Sequence, residues 1–306
     1  MVTYRFLRHS LLTLFLTLTT ACVFAQTQQG DGNYAPYPYQ AGKDVVWVPT
    51  AQALADKMLN MAEVTPQDYV IDLGSGDGRL VITAAKRGAQ GLGIEYNPDM
   101  VALSKRNAAK EGVSDRAQFV KADLFETDFS QATVITMFLL ESINQRLRPK
   151  ILDLKPGTRI VSNSFTMGDW KADQTAEVSP EEGCDNSFCE AYLWIVPAKV
   201  EGLWQLPQGE LTLKQKFQMF SGTLKSGAKV TPIKYGRLKG NEITFTVGNA
   251  EYSGLVAGNA MQGTLKNGSK TANWNATRVR KAAKRPSARS LISLSFYLER
   301  QHNLGG

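Results

Sequence analysis

The stretch Val70-Ile71-Asp72-Leu73-Gly74-Ser75-Gly76-Asp77-Gly78-Arg79 passes from an apolar run, through three alternating glycines, into a helical pattern. Glycines at 74, 76 and 78 let the backbone turn tightly and approach a ligand where side chains would collide. A loop of this kind after the first strand of an α/β sheet opens a cleft at the strand's carboxyl end, where nucleotides bind. Working outward, apolar runs at 69–73, 91–95, 117–121, 134–138 and 158–163 alternate with helical patterns at 79–87, 98–111 and about 142–154. The run 191–196, stopped by Pro197, reads as the last strand, and Thr50 is placed to cap a helix carrying Leu54, Met58, Met61 and Val64. Strands spaced by helices imply right-handed crossovers and a doubly wound, Rossmann-like, mostly parallel sheet covered on both faces.

Two acidic positions extend the glycine signal. Glu95 ends the second strand, where a carboxylate can accept bonds from two ribose hydroxyls. Asp123, in Ala122-Asp123-Leu124-Phe125, lies just past the third and can accept from an adenine amino group while Leu124 or Phe125 packs on the ring. Taken singly, a glycine-rich turn is often only a turn and an acid after a strand is often a helix cap; their joint order carries the functional reading. A dinucleotide-binding loop is the nearest competitor. Against it, the glycines run GxGxG rather than GxGxxG, and Asp72 precedes the first glycine by two residues. A carboxylate there attracts the charged amino group of a methionine moiety and would repel a pyrophosphate.

The pattern D-x-G-x-G-x-G, then Glu95, then Asp123, resembles class I S-adenosylmethionine (SAM) dependent methyltransferases. A closer likeness runs over 48–173: VPT at 48–50, DLGSGDGR at 72–79, GIE at 93–95, LRPK at 147–150 and MGDW at 167–170. Together these resemble the family of mitochondrial lysine methyltransferases of the ATP synthase c subunit and the adenine nucleotide translocase, with its bacterial relatives. The resemblance implies that Asp72, Gly74, Gly76, Glu95 and Asp123 bind SAM, with Ser75 and Gly78 in the same loop and Leu124 beside the adenine. It implies transfer of a methyl group to a nucleophilic nitrogen, plausibly a protein lysine. The enzyme's task is then to align acceptor, methyl carbon and sulfur, and to let the amine shed its proton. Glu141 is the candidate for orienting the amine, with Asn144 one helical turn on; equally, Glu141 reads as a carboxylate complementing a helix N-terminus. Phe165 and Trp170 are candidates for a methylammonium pocket, or else core or lid aromatics. Small-molecule or lipid methylation, and a non-catalytic exported binding protein that keeps the fold, are the alternatives; the intact glycine and acidic set argues against the last.

The remainder of the chain is different in character. From residue 201 onward it carries a net charge of +11, leaving −4 for residues 1–200. Such a half favours anionic partners such as nucleic acid or lipid headgroups, or is simply a soluble surface. Nucleic acid is not expected as a partner; association with a membrane surface is left open. Short β-like runs at 211–220, 229–235, 242–247, 251–256 and 271–278, separated by glycine-containing turns, predict a small all-β sandwich or barrel. Trp204, Phe217, Phe220 and Trp274 are assigned to its core, and substrate presentation to its function. Arg5 and Arg8 ahead of an apolar stretch at 11–24 read as an export signal over 1–25. The expected order is therefore signal 1–25, linker 26–43, methyltransferase domain 44–198, β-rich domain 199–280 and basic tail 281–306. In an exported protein Cys184 and Cys189 would form a disulfide; in a reducing compartment they would be thiols. With histidine only at 9 and 302, a Ser-His-Asp triad and a His-rich metal site are excluded from the body of the chain.

Overall fold

The computed structural model describes residues 34–279. The expected signal (1–25) and basic tail (281–306) lie outside the described residues, as does the linker up to residue 33. The first unit runs α1 (Gln52–Met61), β1 (Tyr69–Leu73), α2 (Arg79–Lys86), β2 (Gln90–Glu95), α3 (Pro98–Lys110), β3 (Ala117–Lys121), β4 (Val134–Met137), α4 (Glu141–Leu152), β5 (Arg159–Asn163), β6 (Gln174–Glu177), a 3-10 turn (Pro180–Glu182) and β7 (Glu190–Ile195). Its sheet has the order β3-β2-β1-β4-β5-β7-β6. The first five strands are parallel, whereas β7 is antiparallel to both β5 and β6. The order reverses between β1 and β4, so the glycine loop after β1 sits at the switch point.

Strand alternation divides the core. Ile71 and Leu73 of β1 join Ile135, Met137, Ile160 and Trp194 beneath α4, which contributes Ile143, Leu147 and Ile151. Val70, Val134 and Val161 face the opposite way, onto Leu54, Met58 and Leu59 of α1 and Leu80 of α2. Asp72 belongs by alternation to this second face, which puts its carboxylate among apolar neighbours. Helix α3 starts as its sequence dictates: Pro98 fits the first turn, and Asn97 accepts from the Asp99 amide at 2.9 Å.

Thr50 does not cap α1. Ala51 holds the cap position with no side-chain bond, and Thr50 Oγ1 instead accepts from Asn163 Nδ2 at 3.1 Å. The hydroxyl thus ties the start of α1 to the end of β5. The 3-10 turn is closed by a capping box from Ser179 to Glu182, and Cys184 and Cys189 beyond it form a disulfide.

The second unit comprises β8 (Gly202–Leu206), β9 (Gly209–Lys216), β10 (Met219–Ser226), β11 (Lys229–Lys239), β12 (Glu242–Val247), β13 (Ala250–Ala257), β14 (Ala260–Asn267) and β15 (Lys270–Arg278). These antiparallel strands close into an eight-stranded barrel, so of the two expected all-β forms it is the barrel that is built. The single run expected at 211–220 is two strands, broken at Phe217, whose φ is +55°. Strands β8 and β14 carry no clear sequence signal, because neither has a sustained apolar alternation. Trp204, Leu211, Phe220, Ile243, Phe245 and Trp274 fill the interior, with Phe245 stacked on Tyr252 at 4.6 Å. Phe217 is not part of that interior. It stacks on Trp170 of the first unit, with ring centroids 5.7 Å apart and planes 17° apart. Around this contact Gln218 Nε2 donates to the Lys171 carbonyl at 2.8 Å and Arg237 Nη2 to Asp173 Oδ1 at 2.7 Å.

Candidate cofactor and acceptor site

A cleft opens at the carboxyl ends of β1, β2 and β4. Asp72, Gly74, Ser75, Gly76, Glu95, Leu124, Phe138 and Leu139 all contribute to its wall. Including its open mouth it encloses about 940 Å3. Gly74, Gly76 and Gly78 have φ of +78°, +53° and +85°, the left-handed region that other residues rarely enter. A Cβ on Gly76 would lie 2.7 Å from Trp47 Nε1, and one on Gly78 2.7 Å from Phe119 Cζ. The glycines are therefore required both by the turn and by what packs against it.

Asp72 is buried and accepts a 2.7 Å bond from Thr136 Oγ1. Burial, aided by the charges of Asp77 and Glu95, pushes its carboxyl up to about 7 against the effect of the Thr136 bond. Such a group is poised to ionise when a cation arrives beside it. Glu95 is held at both oxygens by backbone donors, the Gly76 amide at 2.9 Å and the Asn97 amide at 2.9 Å. Each oxygen keeps a lone pair for a hydroxyl donor. Ser75 Oγ is buried against Gly93 of β2 without a hydrogen-bond partner among the described residues. A tight glycine turn in the cleft wall, an anchored diol acceptor and a buried carboxylate together fit SAM.

Gln40, Lys43 and Trp47, which no motif marks, also line the site. The Trp47 amide donates to the Gln40 carbonyl at 2.9 Å, and the Tyr39 amide to the Trp47 carbonyl at 2.8 Å, folding this segment back over the glycine loop. The end of the stretch expected as linker is thus a wall of the cleft. Lys43 Nζ bonds Asp123, and lies 4.6 Å from the Tyr96 ring centroid. That bond holds the Asp123 carboxyl below the usual carboxylate range. Asp123 also accepts from the Phe125 amide at 2.9 Å, but Lys43 stands between it and the cleft where the adenine acceptor is expected. Only a close packing of distant chain segments could reveal these residues; Thr136 alone had a signal, since it is the cross-strand neighbour of Asp72.

The acceptor-side candidates separate. Glu141 is exposed at the start of α4 and accepts from Thr166 Oγ1 at 2.7 Å and from Gln145 Nε2 at 3.0 Å. Asn144 faces inward, is fully buried, and donates to the Phe165 and Thr166 carbonyls at 3.1 and 3.2 Å. It pins the loop after β5 instead of meeting an acceptor. Phe165 is half-buried beside Phe138, which lines the cleft, with centroids 6.1 Å apart. Trp170 is not a pocket residue: it is completely buried between Trp194 and Phe217. Its place beside Phe165 is taken by Phe138 and Phe188.

Residues 72–174 match the model of the ANTKMT methyltransferase domain. The chain is 42% identical over 155 residues to the protein-lysine N-methyltransferase of Saccharolobus islandicus, covering 50% of this chain and 94% of that protein. It is 36% identical over 107 residues to the ATP synthase c-subunit lysine N-methyltransferase of Rattus norvegicus, spanning half of that protein and 35% of this chain. Among solved structures, an RNA methyltransferase from Salinibacter ruber in complex with S-adenosyl-L-homocysteine is 44% identical with a TM-score of 0.46, over 50% of this chain and 96% of that one. The glycine loop with its acidic partners, and the archaeal relative matched over nearly its whole length, establish that this chain belongs to the family of SAM-dependent protein-lysine N-methyltransferases.

Proposed function

We propose that the chain methylates the side-chain amine of lysine in a protein acceptor, and that it does so after export. The acceptor reading rests on the charge of the chain around the disulfide loop, whose Phe188 packs on Phe138 of the cleft wall. Between Lys171 and Lys199 there is no basic residue; with Asp173 engaged by Arg237, the stretch keeps Glu177, Glu181, Glu182, Asp185 and Glu190. This stretch attracts a basic protein segment and repels a polyphosphate backbone. The name of the archaeal relative supports the same acceptor.

When bound, SAM supplies a methyl group already activated by its sulfonium. Asp72 would hold the ammonium end of the ligand and Glu95 the ribose hydroxyls, so that the cleft fixes its position before the acceptor arrives. Glu141 retains lone pairs beyond those engaged by Thr166 and Gln145, and would draw in and orient the lysine amine. Apolar walls such as Phe138 and Leu139 favour the neutral amine by withholding water.

Export rests on the 1–25 signal pattern and is supported by the Cys184–Cys189 disulfide, a bond that persists in oxidising compartments. The basic barrel half is then suited to an anionic membrane surface where the acceptor resides. Incubating the full chain with SAM and a lysine-containing basic protein, and mapping the methyl group by mass spectrometry, tests the acceptor. Methylated lysine is the expected product; transfer only to small molecules in an extract would defeat the proposal. A reporter fused after Gly42 and active on only one side of the membrane tests the compartment.

A further inference from the structure

Phe138, Phe165 and Phe188 form one aromatic cluster, with centroid separations of 6.1 Å (138 to 165), 5.2 Å (138 to 188) and 6.1 Å (165 to 188). All three are half-buried, so the cluster presents ring surface to solvent. Phe138 also lines the cofactor cleft; the cluster therefore continues the cleft wall outward. Its three rings come from three separate places: the end of β4, the turn after β5 and the loop closed by Cys184 and Cys189.

Two of the rings, Phe165 and Phe188, are fixed by backbone devices of their own. The Ser164 amide donates to the Glu190 carbonyl at 2.9 Å, which ties the turn before Phe165 to the start of β7. Cys184 is buried among α1 side chains, anchoring one end of the loop. The Val178 amide donates to the Cys189 carbonyl at 3.0 Å, and the Phe188 amide to Asn186 Oδ1 at 2.8 Å, anchoring the other. A short loop crossing open surface would otherwise sample many conformations, and closing it limits them.

We propose that the disulfide loop is an acceptor-recognition element, with Phe188 completing an aromatic platform that receives the aliphatic stem and ammonium of a lysine in a basic protein segment. The inference rests on the lysine-acceptor reading above and names the residues that select it. Ring faces attract ammonium groups within about 6 Å of their centroids, and they cover a methylene stem at the same time. Asp185 lies in the loop and Glu190 follows it, and Glu141 carries the same charge at the start of α4 and bonds Thr166, next to Phe165. An aromatic surface rimmed by carboxylates is suited to a cation; a flat neutral or anionic acceptor has no use for the rim. The disulfide holds Phe188 in place before binding, which lowers the ordering cost of recognition.

The test uses the full chain, SAM and a basic peptide containing one lysine. Phe188→Ala is expected to raise the KM for the peptide about tenfold, the size of a lost cation–π and stem contact, while the Kd for SAM stays unchanged. Phe188→Tyr is expected to restore most of that loss, and Cys184→Ser with Cys189→Ser to shift the peptide KM in the same direction as Phe188→Ala. Unchanged peptide KM in Phe188→Ala would overturn the inference, as would a loss of SAM affinity parallel to the loss of peptide affinity. If the wild-type chain binds SAM but transfers no methyl to any lysine peptide, the acceptor reading fails and this inference with it.

Discussion

Thr136 Oγ1 donates a 2.7 Å hydrogen bond to Asp72 Oδ1 from the neighbouring strand, yet burial still leaves that carboxyl with a pKa of about 7. A ligand ammonium binds the ionised form, so SAM affinity should rise with pH through about 7 and fall again as the ligand's own α-amino group deprotonates at about pH 8. Calorimetric titration across this range should show the rise in the wild type. In Asp72→Asn, binding should be weaker by about fiftyfold or more and nearly flat with pH, as for loss of one partner of a buried charge pair. A wild-type affinity independent of pH would contradict this role for Asp72.

The same residue sets a stability trend of opposite sign to that of an ordinary paired carboxylate. Its folded pKa is raised, so the folded ligand-free protein binds the proton more tightly than the unfolded chain; this contribution is present at low pH and is lost as pH rises from the usual carboxylate range through about 7. At pH 8, Asp72→Asn should therefore raise the thermal midpoint of the ligand-free protein by roughly 3–8 °C. The gain should shrink at pH 5. Scanning calorimetry at the two pH values decides it.

Lys43 competes for Asp123. Its ammonium occupies the carboxylate that an adenine amino group would use, and both side chains are accessible to solvent. Lys43→Ala should tighten SAM binding by about threefold at low salt, with the difference fading at high salt because exposed pairs are screened. Weaker binding in the variant would instead make Lys43 a contact to the ligand.

Gly78 begins α2 with φ of +85° and no room for a Cβ beside Phe119 and Ser104. Gly78→Ala should cost about 2–4 kcal/mol in stability, from left-handed strain together with overpacking. SAM affinity should fall as well, since the loop must shift. Chemical denaturation and titration of the same sample would show both effects; loss of neither would mean that the turn tolerates a side chain.

Phe217 joins the barrel to the first unit by stacking on Trp170, while Asp173 receives Arg237 from the barrel and the Ile195 amide from β7. Phe217→Ala should lower stability by about 2–3 kcal/mol, less than for a fully enclosed phenylalanine. It should also separate the unfolding of the two units into distinct transitions. A single transition with an unchanged midpoint would show that the stacked pair contributes nothing to their coupling.

Much of the α/β unit was legible because each element carries its own local signal. The glycine loop, Glu95 at the end of β2 and Pro98 after Asn97 are set by steps of one or two residues along the chain, and β1 and β4 are buried runs that read as strands anywhere. The cofactor cradle was accessible for the same reason: Asp72, Gly74, Gly76 and Glu95 need only their place at strand ends to converge. The sequence by itself thus determined the strand–helix alternation, the switch-point cleft and its family likeness. Tertiary structure alone decided which side chains complete the site, because Lys43 meets Asp123 and Phe188 meets Phe138 across separations along the chain that carry no periodicity. It also decided that Trp170 and Phe217 turn to each other at the seam instead of entering a pocket or the barrel. Burial of an aromatic ring is demanded by its area, but which neighbour covers it is settled only when the folded surfaces meet.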